Sequence, residues 1–318
     1  MKVLMTGPFG NIGTITLENL LQQGHQVRCF DLITSENEEK AMRFERKIET
    51  IWGDVRKPED LASAVQDRDV VIHLAFIIPI TSEIDPERSQ EVNVEGTRNL
   101  LNAMKKTTPT PRILFASSIT VFGPTQDQPP PRKASDPVNP TLHYTRHKVE
   151  CEQMVRESGL DWVILRFAAV PPVAFRFDPT MFYLSPDSRM EFAHFRDVGL
   201  SVANAVSCDK AWGKILLIGG GTGSQMYYRD YIGRSMETVG VGRFPDDAFG
   251  TIPSSLDWID TTESQRLLNY QQHSFEDWLK ERAALLGFKR YMIRALRPVY
   301  RWQMLRQSPF YRAKGADK

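Results

Sequence analysis

Residues 2–13 read KVLMTGPFGNIG, a short apolar run that enters a glycine turn. Lys2 to Met5 has the pattern of a strand, and a helical pattern through Leu17, Leu20 and Leu21 follows until Gly24. Gly7, Gly10 and Gly13 therefore punctuate a strand-to-helix turn with the spacing Gly-x-x-Gly-x-x-Gly. Glycine at such positions permits a tight turn, lets backbone approach a pyrophosphate, and lets helix and strand pack closely. The helix N-terminus then faces the phosphates. Phe9, Asn11 and Ile12 complete the loop and join the three glycines as candidate cofactor contacts. An ordinary glycine-rich turn is the other reading, and the strand-then-helix context argues against it.

Gln26 to Phe30 reads as the second strand, ending at Asp31. An acid about 20 residues past the glycines accepts hydrogen bonds from the adenosine ribose hydroxyls. It would repel a 2′-phosphate, and no arginine follows at Leu32 or Ile33, so NAD is favoured over NADP. Residues 34–47 are charged and solvated, as loop or helix. Ile48–Trp52, Val70–Ala75, Arg112–Ser118, Asp161–Arg166 and Lys214–Ile218 read as further strands. Helical spacing fills Pro58–Val65 and Asp85–Met104 between them. Strands alternating with helices at this interval imply an α/β fold, a Rossmann-type doubly wound parallel sheet.

Tyr144 and Lys148 lie four residues apart at the start of another helical stretch, so both side chains share one face. An ammonium beside a phenol favours the phenolate and is expected to lower the tyrosine pKa. Such a tyrosine can exchange the proton of a carbinol while a hydride moves to or from a nicotinamide. Ser118 ends a strand at the carboxyl edge of the sheet, where ligands of such sheets lie. A carbonyl held between the Ser118 and Tyr144 hydroxyls would be polarised for attack. His143 and His147 are read as surface or supporting residues. No His, Cys and carboxylate spacing marks a metal site, so none is expected.

Composition fits this class. The chain has 318 residues, 41% hydrophobic and 25% charged, as in a soluble globular protein with one large domain and part of another. The net charge of +1 gives no nucleic-acid signal. Cys29, Cys151 and Cys208 are too few and scattered for a disulfide framework, which fits a reduced, cytoplasmic setting. There is no signal-peptide pattern and no apolar run near the roughly 20 residues of a spanning helix.

Taken together, the ordered motifs resemble the extended short-chain dehydrogenase/reductase superfamily, over roughly residues 1–285. That group includes nucleotide-sugar epimerases and dehydratases and the 3β-hydroxysteroid dehydrogenases. The resemblance implies that Asp54 and Val55 are the pair whose acid contacts adenine, and that Leu74 and Ala75 of His73-Leu74-Ala75 pass the cofactor. It makes Asn93 the asparagine of Asn-x-x-Gly-Thr. It makes Ser118, Tyr144 and Lys148 the catalytic set, with Lys148 also holding the nicotinamide ribose. Phe167 and Val170 resemble cofactor-contacting positions. Ala169 stands where many sugar-nucleotide enzymes carry an asparagine, which weakens that substrate class. The family often dimerises, and a homodimer is expected here.

The expected organisation is an NAD-binding domain at 1–172, with strand and helix returning at about 194–220, a substrate-binding lobe at 173–286, and a basic C-terminal helical tail at 287–318. Phe175, Phe177, Met181, Phe182, Tyr183, Met190 and Phe192 could line an apolar pocket or pack the lobe. Asp197 is expected to cap a helix. The tail holds nine Lys/Arg and one acid, 9 − 1 = +8, so residues 1–286 sum to −7. Phe288, Tyr291, Met292, Ala295, Leu296 and Val299 recur among its arginines at helical spacing. Peripheral membrane contact, docking on the body or on a second subunit, and disorder all fit, with a kink at Pro298. The leading expectation is NAD-dependent oxidation of a secondary alcohol or reduction of a ketone, on an apolar small-molecule substrate. A sugar-nucleotide epimerase or dehydratase with retained NAD, and a non-catalytic NAD-sensing protein, stand beside it.

Overall fold

Val3, Leu4 and Met5 on strand β1 (Lys2–Thr6) are fully buried, with successive side chains on opposite faces of a sheet covered on both sides. The computed structural model describes residues 1–311. β1 pairs in parallel with β2 (Gln26–Asp31) and β4 (Val70–His73). β2 pairs with β3 (Ile48–Trp52), and β4 with β5 (Arg112–Ser118). β6 (Trp162–Phe167) and β8 (Ile215–Ile218) extend the far edge. The seven-stranded order is β3-β2-β1-β4-β5-β6-β8, with the order reversing beside β1. That reversal opens a crevice at the carboxyl ends of β1 and β4.

The crossover helices are α1 (Asn11–Gln22), α2 (Ser35–Met42), α3 (Pro58–Ala64), the short α4 (Thr81–Ile84) and α5 (Pro86–Gln90), α6 (Gly96–Met104), α7 (His143–Arg156) and α8 (Phe195–Ser207). One apolar cluster, with Leu17, Leu20 and Val202, covers the α1/α8 face. A second, with Leu61, Leu100 and Val155, covers the α3/α6/α7 face. The helical spacing expected over Asp85–Met104 is helical from Pro86 to Met104, with a π-turn at Glu91–Glu95 joining α5 to α6.

A smaller lobe surrounds an antiparallel pair, β7 (Arg189–Glu191) with β9 (Gln225–Tyr227), too short to be legible in the sequence. Its helices are α9 (Tyr228–Val239) and α11 (Phe275–Leu286), while α10 (Thr262–Leu268) returns to the main sheet, where Leu268 joins the α1/α8-face cluster and Ser264 Oγ donates to the Leu217 carbonyl at 2.5 Å. Phe182 packs against Phe177, Phe244 and Phe249 at centroid distances of 6.2, 5.3 and 5.5 Å. Met190 and Phe192 are also buried, so much of the aromatic enrichment at 175–192 is core packing. The tail forms α12 (Lys289–Ala295) and α13 (Arg297–Leu305). Pro298 sits in the first turn of α13, where its missing N–H costs nothing, and the break falls at Leu296 rather than at the proline. Residues 312–318 of the expected tail lie outside the described residues. Among the described residues, no helix is long and apolar enough to cross a membrane.

Candidate active site

The glycine loop fits a pyrophosphate. Gly7 has φ +70°, and a Cβ there would lie 2.8 Å from the Ala75 nitrogen. A Cβ on Gly13 would lie 2.2 Å from the Gly7 carbonyl oxygen, so any larger residue would push the turn open. Gly10 caps α1, and its Cβ position meets only the Gly7 oxygen at 3.6 Å, leaving the helix N-terminus approachable. Asn11, Ile12 and Gly13 form the first turn of α1, and Phe9 is buried beneath the loop.

Asp31 ends β2 beside this loop. Its carboxylate accepts from Leu32 N at 2.9 Å and from Phe9 N at 3.4 Å. Burial raises its pKa, and these two donors oppose the rise. Lys40 stands nearby, donating to the Phe9 carbonyl at 2.8 Å, but Glu36 pairs with it at 2.7 Å. Asp54 is gripped by Arg56 at 2.6 Å, which holds its carboxyl below the usual carboxylate range. Val55 is buried against Gly96 of α6. Leu74 and Ala75 follow β4, their amides donating to the Thr6 carbonyl and hydroxyl at 3.1 and 3.3 Å. Phe167 lies in register with Ser118 across β5 and β6, and Val170 packs on the core just beyond. The predicted residues following β1, β2, β4, β5 and β6 thus share the carboxyl edge of one sheet.

Asn93 is placed differently from a cofactor contact. It lies within the π-turn, fully buried, and its amide clamps Ile77 through N–H at 2.7 Å and C=O at 2.9 Å. Its Nδ2 lies 3.3 Å from His147 Nδ1, so His147 supports the site from behind while His143 is exposed. π-turns often mark functional sites because the extra residue redirects side chains.

Ser118 and Tyr144 face each other across the end of β5. Ser118 Oγ lies 2.8 Å from Thr120 Oγ1 and accepts from Thr120 N at 3.2 Å, so it also caps the turn that follows its strand. Burial pushes the Tyr144 phenol up to about 12, and the Ser118 hydroxyl offsets part of the rise. This corrects the expectation that Lys148 lowers it. The Lys148 Nζ donates to the Ala116 carbonyl at 2.6 Å and sits 3.3 Å above the Phe76 ring, 5.7 Å from the Tyr144 ring centre. Phe76 stands edge-on to Tyr144 at 5.8 Å. Burial pulls Lys148 itself down to about 7, which weakens the charge it can lend.

That depression has a measurable sign. The folded value of about 7 lies below the ordinary 10.5, so the unfolded chain holds the extra proton between them. Stability therefore rises with pH across that window. Lys148→Met, which keeps the stem in its aromatic surroundings, is expected to be more stable than the parent at pH 6. The gap should shrink towards pH 10, as read from urea unfolding at several pH values. A gap independent of pH would mean that the ammonium is not penalised by burial.

Several supports were invisible in the sequence. Leu142 precedes α7 and offers no polar side chain, so Glu83 from α4 caps it: its carboxylate accepts from His143 N and Tyr144 N, each at 3.0 Å. Burial alone would raise the Glu83 carboxyl, yet these donors carry it below its ordinary value. Asp197 is not the cap of α8. His194 takes that place, and Asp197 instead accepts from Gln272 N, His273 N and His273 Nδ1 at 3.0, 2.9 and 2.5 Å. His194, Asp197 and His273 bring three potential ligand atoms within 4.8 Å, a grouping that no sequence spacing announces. The two imidazoles stack at 4.6 Å and 19°, so their in-plane lone pairs run side by side rather than converge. Asp197 is already satisfied. The group is better suited to strapping the 272–273 segment to α8 than to holding a cation.

The profile of the NAD dependent epimerase/dehydratase family matches residues 3–171. A 3-beta-hydroxysteroid dehydrogenase of Mycolicibacterium neoaurum is 35% identical over 127 residues, 38% of this chain and 33% of that protein. A D-erythronate dehydrogenase of Haemophilus influenzae is 28% identical over 176 residues, 54% of this chain and 55% of that protein. The chain thus spans between a third and just over half the length of these curated relatives. The solved UDP-glucose-4-epimerase of Stenotrophomonas maltophila, with bound NAD and formylated UDP-arabinopyranose, superposes with a TM-score of 0.74 at 22% identity, covering 93% of this chain and 99% of that one. This last likeness speaks to the fold.

Proposed function

The chain belongs to the NAD dependent epimerase/dehydratase family, and from that premise we propose that it moves a hydride between NAD(H) and a secondary alcohol or ketone. The observation carrying this reading is the meeting of Ser118, Tyr144 and Lys148 at the sheet edge that also holds the glycine loop and Asp31. Bound NAD supplies hydride acceptance and donation at its nicotinamide. Gly7, Gly10 and Gly13, with the N-terminus of α1, hold the pyrophosphate, and Asp31 accepts from the ribose hydroxyls. Ser118 donates to the substrate oxygen as negative charge develops there. Tyr144 gives that oxygen its proton in reduction and takes it in oxidation. Lys148 is poised to exchange the Ala116 carbonyl for a ribose hydroxyl. Asn93 and Glu83 act as positioning residues, one fixing Ile77 and His147, the other fixing the start of α7.

An apolar substrate is the preferred class. Phe175, Phe177 and Met181 remain partly exposed at the rim of the lobe core, although Phe182, Met190 and Phe192 are fully committed to packing. Sugar-nucleotide epimerisation or dehydration is the second reading, favoured by the family profile itself. The methyl side chain of Ala169, whose backbone is hydrogen-bonded to Glu191 and Ala193 on either side of Phe192, offers nothing to a diphosphate. A sensor without chemistry would have no use for a serine, a tyrosine and a buried lysine brought together at one sheet edge.

The test is absorbance at 340 nm with purified protein, NAD or NADP, and a panel of hydrophobic secondary alcohols beside sugar nucleotides. Net NADH formation with an apolar alcohol, and poor use of NADP, are expected. NAD that survives purification, with sugar-nucleotide interconversion and no net reduction, would move the assignment to the second reading.

A further inference from the structure

The tail presents two unlike faces. Ile293, Tyr300, Met304 and Leu305 pack on the lobe core beside Phe182 and Phe249. The anchorage is close: a Cβ on Gly240 would lie 2.6 Å from the Arg290 carbonyl oxygen, and Ser308 Oγ donates to the Ala248 carbonyl at 2.6 Å. Arg301 donates to the Arg243 carbonyl. The outward face is apolar. Phe288, Tyr291, Met292, Leu296, Val299 and Trp302 are all more than half exposed, with Phe288 at 75% and Trp302 at 57%. They recur every three or four residues, so a stripe follows the solvent side of α12 and α13.

Cations flank this stripe. Lys289, Arg294 and Arg306 are exposed, and none has a carboxylate in ion-pair range among the described residues, while the Arg297 guanidinium turns inward against Gly242. Glu237 and Glu276, which share a groove with Arg290 and Arg294, are already paired with Arg243 and Arg234. Large apolar side chains facing water beside unpaired cations are held at a cost that a partner must relieve.

We propose that α12 and α13 form a docking face for an anionic lipid surface. Aromatic and aliphatic tips would enter the boundary between headgroups and acyl chains while the cations meet phosphates. Charge decides between this occupant and others. A two-fold pairing of this face with a second copy would set one basic stripe against another. A nucleic acid would satisfy the cations and the aromatic rings but leave Met292, Leu296 and Val299 without a role. The anchored inner face keeps the stripe presented, so docking needs no prior ordering of the segment.

The full chain is to be floated with phosphatidylcholine vesicles, with and without phosphatidylglycerol, at low and high salt, and its mass read by light scattering. Binding to the anionic vesicles should exceed that to neutral ones by about tenfold or more and fall with salt. Phe288→Ser/Val299→Ser/Trp302→Ser and Lys289→Glu/Arg294→Glu/Arg306→Glu change exposed positions only, so both should keep the parental melting curve and lose vesicle binding. No binding by the parent chain overturns the proposal. So does a dimer that the apolar triple variant converts to monomer without any vesicle binding, since a second copy would then cover the face.

Discussion

Replacing Tyr144 with phenylalanine is expected to slow turnover on the order of a thousandfold while NAD affinity changes by no more than about twofold. The ring keeps its edge-on packing at 5.8 Å from Phe76, so only the hydroxyl is lost. A phenol pushed up to about 12 is protonated at neutral pH, which equips it to donate when a ketone is reduced. Oxidation of an alcohol needs the phenolate, so the parent's oxidation rate should climb with pH from neutral towards alkaline conditions while reduction stays flat. In the phenylalanine variant that climb should vanish along with the rate. A substituted enzyme that keeps its turnover within tenfold, or keeps the same pH profile, would remove Tyr144 from the chemistry.

The parts of this site that the sequence carried are those where backbone dictates residue type. A turn passing 2.8 Å from Ala75 with φ +70° at Gly7 leaves few choices, so glycine spacing announces it. Strands buried on both faces carry continuous apolar runs, and Val70 to Ile72 and Ile113 to Ala116 made β4 and β5 readable. What stayed hidden depends on contacts between distant segments. Glu83 looks like any acid in a charged stretch, and only the fold brings it 60 residues forward to cap α7. Phe76 looks like one more apolar residue after a strand, yet its ring lies 3.3 Å from the Lys148 ammonium and edge-on to Tyr144. Four-residue spacing places two side chains on one face, but it cannot say what lies between or above them. The aromatic run at 175–192 carried the same ambiguity, since lining a pocket and packing a lobe require the same residue types.

Beneath the catalytic groups lies a second arrangement that no spacing rule identifies, and its disruption should have the largest effect on stability. Glu152 sits one turn beyond Lys148 on α7, and Arg166 lies on β6; both side chains are almost fully buried. Arg166 donates to Glu152 through Nε at 2.9 Å and Nη2 at 2.7 Å, and Ser117 Oγ donates to the same carboxylate at 2.6 Å. One carboxylate therefore ties α7 to β5 and β6 directly below Ser118 and Lys148. Glu152→Ala leaves the guanidinium buried among Phe122 and the Ala134 carbonyl without its counterion. The expected loss is about 3–5 kcal/mol in urea unfolding. Glu152→Leu combined with Arg166→Met removes both charges at similar volume and should cost much less than the single change, because the main penalty is an unpaired buried charge rather than a lost attraction. Equal losses in the single and double variants would mean the pair is not coupled. Turnover should separate the two roles further. If the pair also positions the site, the double variant will regain stability without regaining full rate, because Ser117 and α7 would no longer share an anchor.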